Sequence, residues 1–157
     1  MAVSKRIADL LTREKLEYST VHHAHSETSD TTAEAAHVSG ERLAKAILLK
    51  DNRGYLLAVV PATHALETGT LNQKIRRPMI MAAEAEIARL FPDCEVGAIP
   101  AIGRAYGLTT VVEHSLCELP EVFFEAGDHE TLVRVDCENF KRLVDGALFA
   151  SFSHHKG

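Results

Sequence analysis

The sequence predicts an α+β domain with a compact, mixed and largely antiparallel sheet flanked by helices, and three observations carry that reading. Two apolar runs enclose the turn-rich tetrad Asp51-Asn52-Arg53-Gly54, and two more enclose Gly127-Asp128-His129-Glu130, so two hairpins are expected. Helical periodicities are interspersed among the strands without a regular strand–helix alternation, which argues against a doubly wound parallel sheet. Neither an internal repeat nor a linker divides the 157 residues, a length suited to one core. Residues 1–150 are therefore read as a single domain and 151–157 as a loose tail.

The elements follow in order. Ile7, Leu10 and Leu11 recur at helical spacing between charges, giving an amphipathic helix over 4–16. Tyr18 to His22 reads as extended, and the Ser/Thr/Asp-rich stretch His25 to Thr32 as a loop. Thr31 and Glu34 stand three apart as in a capping box, so a short helix should run from there to about Val38, with Gly40 closing it. Leu43 to Lys50 and Tyr55 to Val60 form the first hairpin, ended by Pro61. Met79 to Met81 is a short strand, and Ile87, Leu90 and Phe91 mark a helix over 84–91 that Pro92 stops. Thr109 to Val112, Glu121 to Glu125 and Thr131 to Asp136 read as strands, and Glu138 to Val144 as a final short helix.

Composition narrows the function classes. A hydrophobic share of 46% and a charged share of 25% fit a folded globular protein. The net charge of −5 argues against a broad basic face for duplex DNA, although one RNA end needs only a few cations. Lys74, Arg76 and Arg77 are the nearest approach to a basic cluster, and a solvated loop explains them as simply as an RNA rim does. Cys94, Cys117 and Cys137 lack C-x-x-C spacing and suit reduced thiols. The opening MAVSKRIADLL lacks the apolar stretch of a signal peptide, and no apolar run reaches membrane-spanning length, so a cytoplasmic protein without membrane contact is expected.

Two places break the local rules. Alternation puts Lys45 on one strand face with Leu43, Ile47 and Leu49. An amine there must either snorkel to water or reach into a cleft, where it would suit a phosphate or carboxylate. The segment Gly97-Ala98-Ile99-Pro100-Ala101-Ile102-Gly103 combines two glycines and a proline in an apolar loop. It is either a plain turn or a fixed backbone path whose amides hold a carbonyl oxygen. His23 and His25 could chelate a metal, but neither H-E-x-x-H nor CxxC accompanies them, and no metal or cofactor is expected. A G-x-S-x-G elbow is also missing.

At these places the chain resembles the YbaK / prolyl-tRNA-synthetase-associated family of trans-editing aminoacyl-tRNA deacylases, from about His25 to Phe140. Thr32-Ala33-Glu34-Ala35-Ala36 is similar to the family's TAEEAA helix, and Leu43 to Asp51 to its lysine-bearing strand. Gly97 to Gly103 resembles its glycine-proline loop, Glu113 to Val122 its DESLLELDEV segment, and Ala126-Gly127 its NAG turn. The resemblance implies a barrel-like sheet with a pocket beside the lysine strand, and metal-free hydrolysis of the ester joining an amino acid to the tRNA 3′ adenosine. It assigns Lys45 to the terminal phosphate and Gly97 to the aminoacyl carbonyl, with the substrate's own ribose hydroxyl helping to activate water. Ala98, Ile99, Pro100, Ala101, Ile102, Gly103 and His129 are taken as substrate-binding, and Lys74, Arg76 and Arg77 as the RNA rim. The 3′ acceptor end of aminoacyl-tRNA is the implied partner, with a synthetase as a second. Two positions depart from the family: Ala101 stands where a proline is usual, and Ala46 where a small polar residue is common. These departures keep open a second reading, a binding module of the same fold without catalysis.

Overall fold

The computed structural model describes residues 3–26 and 28–156. Helix α1 (Lys5–Glu14) starts where the Ser4 hydroxyl accepts the Ile7 N–H and stops at Lys15 in the left-handed conformation, with Ile7, Leu10 and Leu11 buried as the periodicity requires. Strand β1 (Ser19–His22) follows. Helix α2 (Ser29–Ala36) begins a turn before the expected Thr31–Glu34 signal. Thr28 is its N-cap and exchanges bonds with Thr31, a Thr–Thr capping box where a Thr–Glu pair was expected. The cause is chemical: Thr28 offers the same hydroxyl one turn upstream on an extended backbone, so much of the loop expected over His25 to Thr32 is helical. Glu27 of that stretch lies outside the described residues.

The first hairpin is β2 (Leu43–Asp51) with β3 (Gly54–Pro61), paired from Ala44↔Pro61 to Asp51↔Gly54. Asp51 shapes the turn by accepting the N–H groups of Arg53 and Gly54, and Gly54 supplies a φ of 142°. Beyond it lie β4 (His64–Leu66) and α3 (Thr68–Ile75), two elements the sequence reading left without structure. Next come β5 (Ile80–Met81), α4 (Glu84–Leu90), β6 (Thr109–Glu113), β7 (Glu121–Glu125), β8 (Thr131–Asp136) and α5 (Cys137–Leu143). The chain closes with β9 (Leu148–Ala150) and β10 (Ser153–His155).

Eight strands make one mixed sheet in the order β1-β8-β7-β2-β3-β6-β9, with β5 added against β2. The β7–β2, β3–β6 and β6–β9 contacts are parallel and the others antiparallel. Successive side chains of β2 and β3 enter opposite cores. Ala44, Leu48, Leu57 and Val59 pack with α1, α5 and Phe91, while Leu49, Leu56, Ala58 and Val60 pack with Leu71 of α3, Met79 and Phe152. Leu57 is 0% exposed at the heart of the first core. Leu57→Ala is expected to lower the unfolding free energy by about 2–5 kcal/mol, measurable as a shifted urea midpoint at unchanged slope.

The loose tail expected over 151–157 is corrected by β10, which pairs with β4 from Ser153↔Leu66 to His155↔His64. Glu113 explains the order there. It is buried, and its Oε1 accepts the Phe152 N–H, the Ser153 N–H and the Ser153 hydroxyl at 2.9, 2.9 and 2.7 Å. Burial works to raise its pKa, but these bonds together hold the carboxyl below its usual range. Phe152 adds an anchor that is 1% exposed. Gly157 lies outside the described residues. None of the helices among the described residues is long and apolar enough to cross a membrane.

Candidate active site

The sheet is interrupted beside β2. On the flank opposite β3, β7 pairs with Leu43 and Ala44, and β5 with Leu49 and Lys50. Residues 45–47 between these pairings have no strand on that side, and a cleft of about 300 Å³ opens there. Lys45, Ala46, Ile47 and Leu48 form its floor. Met81 of β5, Ala82 after it and Ile87 of α4 add apolar lining. Gly97, Ile99, Glu125 and the Thr28 cap complete the lining. Such a volume, mostly apolar with a few convergent polar groups, suits a small ligand or part of a larger one.

Lys45 pairs in register with Val60 and is half-buried, its stem along the strand and its amine at the cleft. Alternation thus places it as the pattern of Leu43, Ile47 and Leu49 required, and the gap in pairing gives the amine somewhere to go. Gly97 lines the same cleft with a φ of 95°, a conformation that L side chains rarely adopt.

The rest of the glycine-proline loop divides. Ile99 reaches the cleft, whereas Ala98, Pro100, Ala101, Ile102 and Gly103 are buried and are not among its lining residues. Ala101 and Ile102 belong to the main core. Gly103 opens a short 3-10 turn, and a Cβ there would collide with the Thr110 hydroxyl, so this glycine serves close packing. Of the two departures from the family pattern, Ala46 is in the cleft and Ala101 is not. His129, 3% exposed, is likewise absent from the lining but stands behind it, its Nε2 3.2 Å from the carbonyl of Val96, the residue before Gly97.

The basic cluster at the end of α3 has separate fates. Arg77 makes a two-pronged contact with Asp51, Nε and Nη2 lying 2.7 and 2.6 Å from its two oxygens. This arginine's bond is the main reason the Asp51 carboxyl is held far below the usual carboxylate range. The Lys74 amine donates to the Ser151 carbonyl at 2.7 Å, while Arg76 caps α3 and stays exposed. The chain from Arg77 to Met81 then leads into the apolar wall of the cleft. Lys50 is also occupied: it donates to Glu86 at 2.8 Å, and with the Ala83 N–H and the Tyr55 hydroxyl it brings that carboxyl down to about 2.

Glu125 is the residue the sequence reading passed over. It ends the apolar run Val122-Phe123-Phe124 on β7, is 4% exposed, and accepts a 3.4 Å bond from the Thr32 hydroxyl. Burial pushes its carboxyl up to about 7, with Thr32 opposing and the nearby Asp128 charge adding to the rise. His23 and His25 make separate contacts: the His23 Nδ1 lies 2.7 Å from the Ala24 carbonyl, and His25 approaches Glu130 at 3.9 Å. Among the described residues no three His, Cys, Asp or Glu side chains gather as metal ligands would.

Residues 23–143 match the aminoacyl-tRNA editing domain, and the chain belongs to that family. A search of curated protein sequences finds no match. Among solved structures, one described as a candidate trans-editing enzyme for prolyl-tRNA synthetase is 22% identical with a TM-score of 0.83, over 96% of both chains. A scaffold from a computational epitope-grafting study gives 20% identity and a TM-score of 0.83, again over 96% of both. A candidate signal transduction protein from Marinobacter aquaeolei VT8 gives 22% and 0.77, with 94% of this chain covering 30% of that one. These likenesses establish the mixed sheet flanked by helices as a shared fold.

Proposed function

We propose that this protein hydrolyses the ester joining a wrongly attached amino acid to the 3′ adenosine of tRNA. One observation carries the reading within the editing family: Lys45 and Gly97 line one small, mostly apolar cleft. Lys45 would hold the phosphate of the terminal nucleotide, and the Gly97 N–H would meet the aminoacyl carbonyl as it gains negative charge. Water adds to the carbonyl carbon, the bond to the ribose oxygen breaks, and that oxygen leaves with a proton. Free amino acid and uncharged tRNA result. The neighbouring ribose hydroxyl assists the water. His129 acts from behind, holding the Val96 carbonyl and so the path of the chain into Gly97.

A free editing domain answers a physical limit. One missing methylene changes affinity by only about 1–3 kcal/mol, so a synthetase pocket cannot strongly reject a smaller amino acid. A second, size-limited cleft that destroys the mistake supplies the remainder. The proposed setting is the cytoplasm, beside a synthetase whose errors it clears. The test is deacylation of a panel of mischarged tRNAs with and without chelator. Hydrolysis of at least one member, unchanged by chelation, is expected; binding without hydrolysis overturns the reading in favour of a non-catalytic module.

The contact with RNA should be confined to the 3′ end. Arg77 and Lys74 are engaged within the protein, leaving Arg76 as the freer candidate for the rim. Log affinity should fall with log salt by about 0.7 per phosphate contacted on a single strand, and only a few contacts are expected. Arg76→Ala should flatten that slope and leave the preferred amino acid unchanged. A steep slope, or one that the substitution does not alter, places the RNA on another face.

A further inference from the structure

The least explained group in the molecule is the Glu125 carboxyl. Its Oε2 has the Thr32 hydroxyl, but its Oε1 is buried without a hydrogen-bond partner. A buried acceptor left unmatched works against folding, and the protein has kept one in the wall of its cleft. The backbone fixes its place, because Glu125 is in register with Leu132 on β8 while the Phe124 ring before it is locked in the core. Lys45 lines the same cleft, yet no ion pair joins the two among the described residues. Glu125 therefore stands in the cleft lining with no basic side chain paired to it among the described residues.

Resting on the deacylase reading, we infer that Glu125 receives the α-ammonium group of the aminoacyl ester. Every such substrate carries this cation two bonds from the carbonyl carbon, and it must lose water when the carbonyl is drawn against Gly97. Lys45 would repel it and the Gly97 N–H is a donor. Met81, Ala82, Ile87 and Ile99 offer nothing polar from their side chains, and Thr28 offers only a neutral hydroxyl. Among the described residues Glu125 is the one carboxylate in the lining. A charged acceptor with a free lone pair matches an ammonium better than any other group there. The cleft then offers Lys45 for phosphate and Glu125 for ammonium, neighbours just beyond the last β2–β7 pair, Ala44↔Phe124, so the substrate enters in one orientation.

The experiment compares the aminoacyl-tRNA that the wild type hydrolyses best with the same tRNA carrying the matching α-hydroxy acid. The two differ only in a hydroxyl replacing the ammonium, and each rate is divided by its uncatalysed rate. The wild type should prefer the amino acid by at least about tenfold, the worth of a charge-assisted bond. Glu125→Gln should bring the two within about threefold by slowing the amino acid ester alone. Equal wild-type rates overturn the inference without any variant. So does a variant that keeps the preference, or one that loses both activities equally, which would assign Glu125 to the water or to the fold. A wild type inactive on every ester of the panel overturns the deacylase reading, and the inference with it.

Discussion

Replacing Lys45 with alanine is expected to lower kcat/KM for deacylation by roughly ten- to a hundredfold, because on the proposed reading the terminal phosphate would lose its charged partner in the cleft. The fold should survive. Lys45 is half-buried on a strand whose neighbours Ala44 and Leu48 fill the core, and alanine keeps the backbone pairing with Val60. Matching melting curves for the two proteins, alongside single-turnover deacylation, separate lost chemistry from lost structure. The deficit should shrink on a substrate truncated to remove that phosphate, since the wild type then has nothing for the amine to hold. Wild-type rates in the variant would take Lys45 out of the mechanism.

Glu125→Gln should stabilise the protein, and by an amount that depends on pH. The folded carboxyl is raised to about 7 from an ordinary 4.5. Between those values the folded state keeps a proton that the unfolded state has lost, so wild-type stability falls as pH rises through that window. The group's contribution is complete below the unfolded value and gone above the folded one. A shift of that size corresponds to about 3 kcal/mol at pH 8, an upper figure because glutamine also leaves a polar atom unmatched. Urea unfolding at pH 4 and pH 8 is the measurement. The variant should gain at pH 8 and differ little at pH 4. An equal difference at both values would mean that the carboxyl does not titrate in this window.

The sequence made the frame of the cleft readable where its patterns were redundant. The β2–β3 hairpin carried apolar runs, a turn tetrad and one lysine out of place, and each pointed to the same register. Elements stabilised mainly from outside were not readable. Helix α3 buries only Leu71 among its described residues and opens with Thr-Gly-Thr, while β4 and β10 are three-residue strands, the second anchored at Ser153 by Glu113 from elsewhere in the chain. Arg77 looked like a member of a basic cluster because nothing local reveals that Asp51, 26 positions away, claims it. Glu125 was hidden for the opposite reason: at the end of an apolar run it resembles a strand terminus reaching solvent. Only tertiary packing shows that Thr32 and the cleft close over it.

The missing strand beside residues 45–47 also separates what can drift from what cannot. On that flank no strand pairs with residues 45–47 among the described residues, and the Leu48 carbonyl accepts the Ala82 N–H. The parts of a charged tRNA end that never vary, ribose and ester, can thus be met by main-chain atoms that no point mutation alters. On the proposed reading the part that does vary, the amino acid side chain, would meet Ala46, Met81 and Ile87, which line the cleft and whose replacement need not disturb the β2–β3 ladder. Changes at those three positions would retune which error is cleared while leaving the chemistry in place. The division gives such a scaffold a cheap route to new selectivities among paralogues.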